Sequence, residues 1–147
     1  MGIISRFPAG ATKPYIEEIY NSDGQLISAN MYGQDAIRDY QFFYCTNLAL
    51  ISLPSGITSV GVSAFEGCSS LALTSLPSGI TSIGNGAFRN CSSLVSLTFE
   101  GTPERISDST FINCKNLTTI NVPWAEGAVA NAPWGATNAT INYGHTG

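Results

Sequence analysis

Charged side chains are scarce in this sequence: they make up 11% of its 147 residues, against about 25% in an average globular protein. Six basic residues are spread along the chain and the formal net charge is −4, so no basic stripe could neutralise phosphates. Nucleic acid and anionic membrane surfaces are therefore not expected partners. Long apolar runs are missing as well, since none approaches the roughly 20 residues of a membrane-spanning helix, which argues against membrane insertion.

The N-terminus lacks two export or anchoring signals. Arg6 and Pro8 interrupt the apolar stretch that a signal-peptide core would need. Arg6 also stands where an N-myristoylation motif has Ser or Thr. We therefore expect a chain that is made in the cytoplasm without a signal peptide and leaves the cell only by lysis or another route.

Residue types that commonly carry catalysis are few and scattered. His145 is the only histidine and lies near the end of the chain, where backbones commonly fray. The carboxylates, among them Glu17, Glu18, Asp35 and Asp39, lack the spacing of an acid/base pair and fit a solvated surface. No glycine-rich phosphate loop is present. The sequence predicts a protein that is not an enzyme and uses no cofactor.

A period of 23 residues organises the middle of the chain and separates Cys45, Cys68, Cys91 and Cys114. The same interval separates the members of four apolar columns: Phe42, Phe65, Phe88 and Phe111; Leu48, Leu71, Leu94 and Leu117; Ile37, Val60, Ile83 and Ile106; Leu53, Leu76, Phe99 and Val122. A period of this length indicates a solenoid, in which each coil buries its apolar side by stacking on its neighbours.

Each 23-residue unit is predicted to contain one short strand and one helical turn. The strands fall at 48–54, 71–77, 94–100 and 117–123, and a proline ends three of them. The helical turn is predicted at 63–68 and at the equivalent positions. The expected fold is thus α/β and β-rich, a leucine-rich-repeat solenoid of four 23-residue coils. Thr74 stands where other units have Ile or Leu, so either its buried hydroxyl finds a backbone acceptor or the coil is locally shifted.

Side chains alternate between faces along a strand, so some strand positions must point to solvent. These outward positions form two neighbouring columns and are the candidate binding site: Leu50, Ser52, Leu73, Ser75, Ser96, Thr98, Thr119 and Asn121. The alternative is a merely solvated face, because most of these residues are small and neutral.

The four cysteines invite a metal or disulfide interpretation, which their spacing argues against. Stacked one coil apart, they span three strand spacings, about 14 Å, whereas tetrahedral zinc holds each sulfur about 2.3 Å away. Neighbouring cysteines in such a stack have parallel Cβ vectors about 4.8 Å apart, too far for an easy disulfide. We expect a ladder of buried free thiols and no metal site.

The repeat units resemble a known family. The stretch from Ile80 to Leu94, ITSIGNGAFRNCSSL, is similar to the BspA-type leucine-rich repeat, and the resemblance covers residues 34–123 in four copies. It implies a solenoid used for adhesion and protein binding, with no catalytic residues to assign. Arg38 and Ser107 depart from the pattern in the end copies, as does Gln41. The first copy also has an aromatic cluster: Tyr40, Phe42, Phe43 and Tyr44.

The two ends are predicted to close the stack. Residues 15–20 and 25–29 flank a turn sequence that ends in Gly24 and form a β-hairpin. Trp124, Trp134 and a last strand at 139–143 form the C-terminal cap, although either Trp could instead bind a partner. The expected division is 1–33 as the N-terminal segment and hairpin, 34–123 as the repeats, and 124–147 as the C-terminal cap.

Both ends also resemble small structural proteins of tailed bacteriophages, in residues 1–10 and 124–143. The first functional hypothesis is therefore a non-catalytic virion or tail-associated host-attachment protein, located in the virion. The alternative is a bacterial cell-surface adhesin of the repeat family. The expected partner is a protein or host-surface receptor, or other virion proteins in the first case, and a homo-oligomer stays open.

Overall fold

The protein is described by a computed structural model, which defines residues 4–6 and 14–146. These residues contain twelve β-strands and no helix. The strands are β1 Ile4–Arg6, β2 Tyr15–Tyr20, β3 Leu26–Tyr32, β4 Ala36–Ile37, β5 Leu50–Ser52, β6 Ser59–Val60, β7 Ser75–Leu76, β8 Ser82–Ile83, β9 Ser96–Phe99, β10 Arg105–Ile106, β11 Thr119–Asn121 and β12 Thr140–Asn142.

The strands form three sheets of four strands each. The N-terminal sheet has the order β1-β2-β3-β5, and the C-terminal sheet has the order β12-β11-β9-β7. The short sheet, in the order β10-β8-β6-β4, contains only two-residue strands. Successive coils pair in parallel at the repeat interval, as Ser59 does with Ser82 and Ser96 with Thr119. The predicted leucine-rich-repeat solenoid is confirmed, with about five turns instead of four.

The core is a set of ladders that run along the solenoid. Phe42, Phe65, Phe88 and Phe111 stack face to face, with ring centroids 5.3, 5.2 and 5.7 Å apart. The leucine column at 48, 71, 94 and 117 is fully buried beside them. Each such side chain contributes about 1.5–3 kcal/mol to folding by leaving water. The predicted inward columns therefore hold the coils together.

The helical turn predicted at 63–68 and its equivalents is absent, so the α part of the predicted class is wrong. Ala64 and Glu66 donate their N–H groups to the carbonyls three residues earlier, at 3.3 and 3.2 Å. Phe65, between them, donates to Ala87 of the next coil at 2.8 Å. A helix needs every successive N–H for its own hydrogen bonds. A segment that gives every second N–H to its neighbour therefore forms linked turns.

The short sheet is a second strand position that the sequence analysis assigned to a turn. Its strands contain the inward column formed by Ile37 and its equivalents, which was recognised only as apolar. Two residues are too few for an alternating pattern to show. Each coil thus contains two strands and a turn segment. These segments hydrogen-bond to their equivalents in the next coil, except that β5 and β7 are not paired with each other.

Carboxamide side chains close both edges of the short sheet. Between inner coils, Gly61 N donates to the Ile37 carbonyl of the preceding coil. The equivalent N–H of the first coil, on Arg38, instead donates to Gln41 Oε1 at 2.8 Å. At the other edge, Asn131 Nδ2 donates to the Ile106 carbonyl at 3.2 Å. Each amide replaces a backbone group that a further coil would supply, which explains Gln41 in place of a small residue.

The predicted hairpin is present as β2 and β3, and Gly24 adopts a φ of 81° in its turn. The second strand of this hairpin also pairs in parallel with β5, where Ser28 lies opposite Leu50. The hairpin is therefore continuous with the solenoid sheet. The division at residues 33 and 123 stays a prediction, and most of the 1–10 stretch lies outside the described residues.

The C-terminal segment forms the last turn. Trp134 is fully buried and Trp124 is nearly so, and their rings are 6.0 Å apart in an edge-to-face arrangement. Trp134 Nε1 donates to the Ala130 carbonyl at 2.8 Å. β12 then pairs with β11. Both Trp residues pack in the end of the core and present no exposed ring to a partner.

Candidate binding surface

The outward side chains of β3, β5, β7, β9, β11 and β12 lie on one side of the solenoid, which we call the strand face. Register places them in two columns within each sheet, and the 23-residue period aligns the columns of the two sheets. The first column is Ser28, Leu50, Ser96, Thr119 and Thr140; the second is Asn30, Ser52, Ser75, Thr98, Asn121 and Asn142. Seven of the eight residues proposed from the sequence lie in these columns, and Leu73 does not.

The proposed residues differ in exposure. Leu50 is 63% exposed, and Ser52 and Ser96 are exposed with it. The remaining members of the columns that were proposed are half-buried: Ser75, Thr98, Thr119 and Asn121. Leu73 is half-buried and packs against the core, so it does not point outward as predicted.

A local shift of the second coil explains the position of Leu73. Thr74, predicted to point inward, is exposed, whereas Leu76 is fully buried in its expected place. Turning an apolar Leu inward and a polar Thr outward lowers the cost of burying a hydroxyl. The alternation of side chains is broken at this point, as in a β-bulge. Of the two outcomes considered for Thr74, the structure has the local shift.

This shift divides the strand face. The N-terminal sheet ends at β5 and the C-terminal sheet begins at β7, and these neighbouring strands are not paired. Leu50 and Ser52 therefore lie on one sheet, and the proposed residues from Ser75 onward lie on the other. The coils remain joined beside the gap, where Ala72 N donates to the Ala49 carbonyl at 3.0 Å.

A cleft of about 370 Å³ occupies the gap between the two sheets. Leu50, Leu53 and Leu73 form apolar walls, and Glu100 contributes a carboxylate. Glu100 stands where other coils have proline, and its side chain is exposed. Cavities that bind small groups start at about 300 Å³. The cleft can accommodate one apolar side chain of a partner, with a negative charge at its border.

Beyond the gap, polar side chains of the second column bond to each other. Asn142 Nδ2 donates to Asn121 Oδ1 at 2.8 Å, and Asn121 Nδ2 donates to Thr98 Oγ1 at 3.1 Å. This amide ladder fixes side-chain rotamers that would otherwise be free in solvent. The C-terminal half of the strand face is therefore a pre-ordered polar surface.

Sequence reasoning missed four residues of the columns, two in β3 and two in β12: Ser28, Asn30, Thr140 and Asn142. Ser28 pairs with Leu50 at an interval of 22 residues, and Thr119 pairs with Thr140 at an interval of 21. A search for a 23-residue period passes over both. The alternation of small polar and apolar residues in 28–31 and 140–142 is the signal that could have located them.

The cysteines form the predicted ladder, with Cys45 only half-buried. Cys68 donates its thiol proton to the Phe42 carbonyl at 3.1 Å, and Cys114 donates to Phe88 at 3.0 Å. Burial raises the pKa of the Cys68 thiol to about 12 and that of Cys114 to about 11. Thiols with such a raised pKa are poor nucleophiles and poor metal ligands.

Within residues 4–6 and 14–146, no group of three or more His, Cys, Asp or Glu side chains is arranged to hold a metal ion. The same part of the chain contains no helix that is long and apolar enough to cross a membrane.

Comparison with known proteins gives a family and a fold. Residues 24–129 match the BspA type leucine rich repeat region in six copies. No curated protein matches the chain. A leucine-rich repeat protein from Bacteroides ovatus is similar in structure, with 25% identity and a TM-score of 0.71; the similarity covers 84% of this chain and 31% of that one.

Two further structures share the fold. A leucine rich cell surface protein from Faecalibacterium prausnitzii has 22% identity and a TM-score of 0.61, over 77% of this chain and 39% of that one. A leucine rich repeat protein from T. pallidum has 21% identity and a TM-score of 0.58, over 90% and 64%. This chain thus spans less than half the length of the Bacteroides and Faecalibacterium proteins.

None of these three is described as a bacteriophage protein, so the virion hypothesis gains no support from them. The repeat match covers well over half of the sequence and extends past both ends of the four predicted copies, which span residues 34–123. The chain belongs to the BspA type leucine-rich-repeat family.

Proposed function

We propose that this chain is a non-catalytic adhesion module of a bacterial cell-surface protein and that its strand face binds a protein ligand. The carrying observation is the cleft at the gap between β5 and β7, where Leu50, Leu53 and Leu73 give apolar walls to a recess in an otherwise small and polar surface. The family and a neighbour described as a cell surface protein support the location.

The cleft is the anchor point of the proposed interface. Leu50 is the most exposed large hydrophobic residue of the described chain and forms one wall of the cleft. Protein interfaces concentrate their binding energy where an anchor side chain fills such a pocket. Glu100 lies at the border of the cleft. The expected ligand segment therefore combines an apolar side chain with a neighbouring Lys or Arg.

The amide ladder supports a polar rim for this interface. Asn142, Asn121 and Thr98 already hold one another in place, so binding orders few additional rotamers. Ser75 lies opposite the ladder residue Thr98 and also lines the cleft, so it connects the two. An apolar anchor beside a polar rim is the usual anatomy of a protein–protein contact.

The test is binding of the purified chain to an array of secreted and membrane-exposed proteins, followed by titration of the tightest hit. Leu50→Glu places a charge in the cleft beside Glu100, so affinity for the hit should fall at least tenfold. Val95→Glu is the matched control, because Val95 is 56% exposed and lies outside the cleft. Equal affinities of the two variants, or no hit on the array, would contradict the proposal.

The location has its own test, which separates the surface hypothesis from a virion or tail-associated host-attachment role. An antibody to the chain is used for immunogold electron microscopy of a producing culture after phage induction. Label on the cell envelope with bare particles supports the surface protein. Label on tails or capsids overturns it and supports the virion hypothesis.

A further inference from the structure

Three exposed aromatic rings lie on the turn segment of the first coil. Tyr40, Phe43 and Tyr44 are 56%, 43% and 50% exposed, whereas Phe42 joins the core stack. Phe43 contacts both tyrosines edge-to-face, with ring centroids 5.3 Å from Tyr40 and 4.6 Å from Tyr44. We call these three residues the aromatic patch. It contains three of the five large hydrophobic residues that are exposed in the described chain.

Two residues of the patch occupy backbone positions that disfavour large side chains. Tyr40 and Tyr44 have φ values of 60° and 52°. At the equivalents of Tyr44 the other coils have Gly67, Asn90 and Asn113, and at those of Tyr40 the next two have Ser63 and Gly86. Glycine and asparagine tolerate the left-handed region, whereas an aromatic residue there is an outlier. Strained and exposed side chains of this kind point to a use outside the fold.

The Tyr44 ring is fixed against the solenoid from behind. A Cβ atom built on Gly67 would lie 2.4 Å from Tyr44 Cδ1, so the ring rests directly on this glycine. Asn90 Nδ2, one coil further along, donates to the Tyr44 hydroxyl at 3.5 Å. Tyr44 remains half-exposed, so part of its ring is open to solvent. The patch is thus a pre-ordered stacking surface with an amide beside it.

The surroundings of the patch indicate an uncharged ligand. Arg38 and Arg89 are exposed nearby, and two carboxylates balance them. Both carboxylates are already engaged by the chain: Asp39 Oδ1 accepts from Val62 N at 2.8 Å, and Glu66 Oε1 accepts from Ser63 Oγ at 2.7 Å. With two basic and two acidic side chains around it, the patch has no formal net charge.

The size of the patch argues against a protein as its ligand. Three half-exposed aromatic rings offer roughly 300 Å² of contact area. A stable protein complex buries about 800 Å² on each partner. The C–H groups on one face of a sugar ring pack on an aromatic face, whose quadrupole is negative.

We propose that the aromatic patch is a binding site for a neutral glycan, separate from the strand face. One hexose stacks on Tyr44 and hydrogen-bonds to Asn90, and a neighbouring hexose contacts Phe43 and Tyr40. This site does not include the cleft or Leu50, so the glycan proposal can be tested independently of the protein-binding proposal.

The test is a printed array of neutral α- and β-glucan, mannan, galactan and xylan oligosaccharides, with sialylated oligosaccharides included, and calorimetric titration of the tightest neutral hit. Tyr44→Asn installs the residue found at positions 90 and 113, and Tyr40→Ser installs the one found at 63. Each should raise the dissociation constant at least tenfold while the thermal unfolding midpoint stays the same or rises. Leu50→Glu should bind glycan like the unchanged chain.

Four results would overturn the proposal. They are no glycan hit, selective binding of sialylated glycans, full binding by both tyrosine variants, and a fall in unfolding midpoint large enough to account for lost binding. Gly67→Ala gives a second check, because it displaces the Tyr44 ring without removing it. It should weaken glycan binding, whereas Gly56→Ala, at a site where an added Cβ meets nothing within 4 Å, should not.

Discussion

The gap between β5 and β7 should close if the second coil regains the repeat pattern. The double substitution Leu73→Ser and Thr74→Ile gives the second coil a small polar residue and a branched apolar residue at the positions of Ser96 and Leu97 in the next coil, where Leu97 is fully buried. We expect Ile at 74 to point inward and Ser at 73 to point outward. β7 would then extend and pair with β5, which would join the two sheets into one.

The magnitude follows from the burial of the two positions. An inward Ile at 74 contributes about 1.5–3 kcal/mol. Losing Leu73, which is half-buried, costs roughly 1 kcal/mol. Each new ladder hydrogen bond adds about 0.5–1.5 kcal/mol. The double variant should be more stable by about 2 kcal/mol, equivalent to a rise in unfolding midpoint of roughly 4–8 °C.

Urea unfolding of the double variant and both single variants measures the effect. Leu73→Ser alone removes an apolar side chain that packs against the core, so it should lower the free energy of unfolding. Thr74→Ile alone should either leave an exposed Ile or by itself return the second coil to the repeat conformation. The two changes should therefore be coupled by about 1–2 kcal/mol in a double-mutant cycle. Additive effects, or a double variant less stable than the unchanged chain, would refute the account of the gap. Binding of the protein ligand should be lost with the cleft.

Two further predictions concern the thiol ladder and the end cap. Burial raises the pKa of the Cys68 thiol from 9.0 to about 12, so its contribution to stability is complete below pH 9 and is lost as the pH rises from 9 towards 12. In urea titrations at pH 8 to 11, the free energy of unfolding should therefore fall less for Cys68→Ser than for the unchanged chain. The same fall in both proteins would contradict this. Asn131→Ala leaves the Ile106 carbonyl without its donor and puts Ala at a φ of 76°, which together should cost about 1–3 kcal/mol. Asn138→Ala, which removes a 3.4 Å bond to the Lys115 carbonyl, should cost less than about 0.5 kcal/mol by the same measurement.

The repeat itself was predictable because burial selects the same residue type at the same place in every coil. Phe88 must fit between Phe65 and Phe111, and because of this constraint the same residue type recurs every 23 residues. Thr74 could be recognised as a misfit for the same reason. The direction of the shift could not be predicted from the sequence. It depends on whether Leu73 can pack against the core, and that is decided by the surrounding side chains.

Other features could not be predicted because their sequence patterns are short or do not follow the 23-residue period. The two-residue strands of the short sheet are shorter than one alternation of side chains. The helical turn was a wrong inference from a small residue before a buried aromatic, since the same spacing suits linked turns that give every second N–H to the next coil.

A solenoid of identical coils presents the same surface at every step, so a ligand would have no reason to prefer one coil to another. Specific binding therefore needs positions that depart from the repeat. The cleft at Leu73 and Glu100 and the patch at Tyr40 and Tyr44 are two such places in the described chain. Each breaks a local rule, side-chain alternation in one case and backbone preference in the other. Since stability alone would favour the consensus residue at these positions, the departures mark where this chain differs from a generic scaffold.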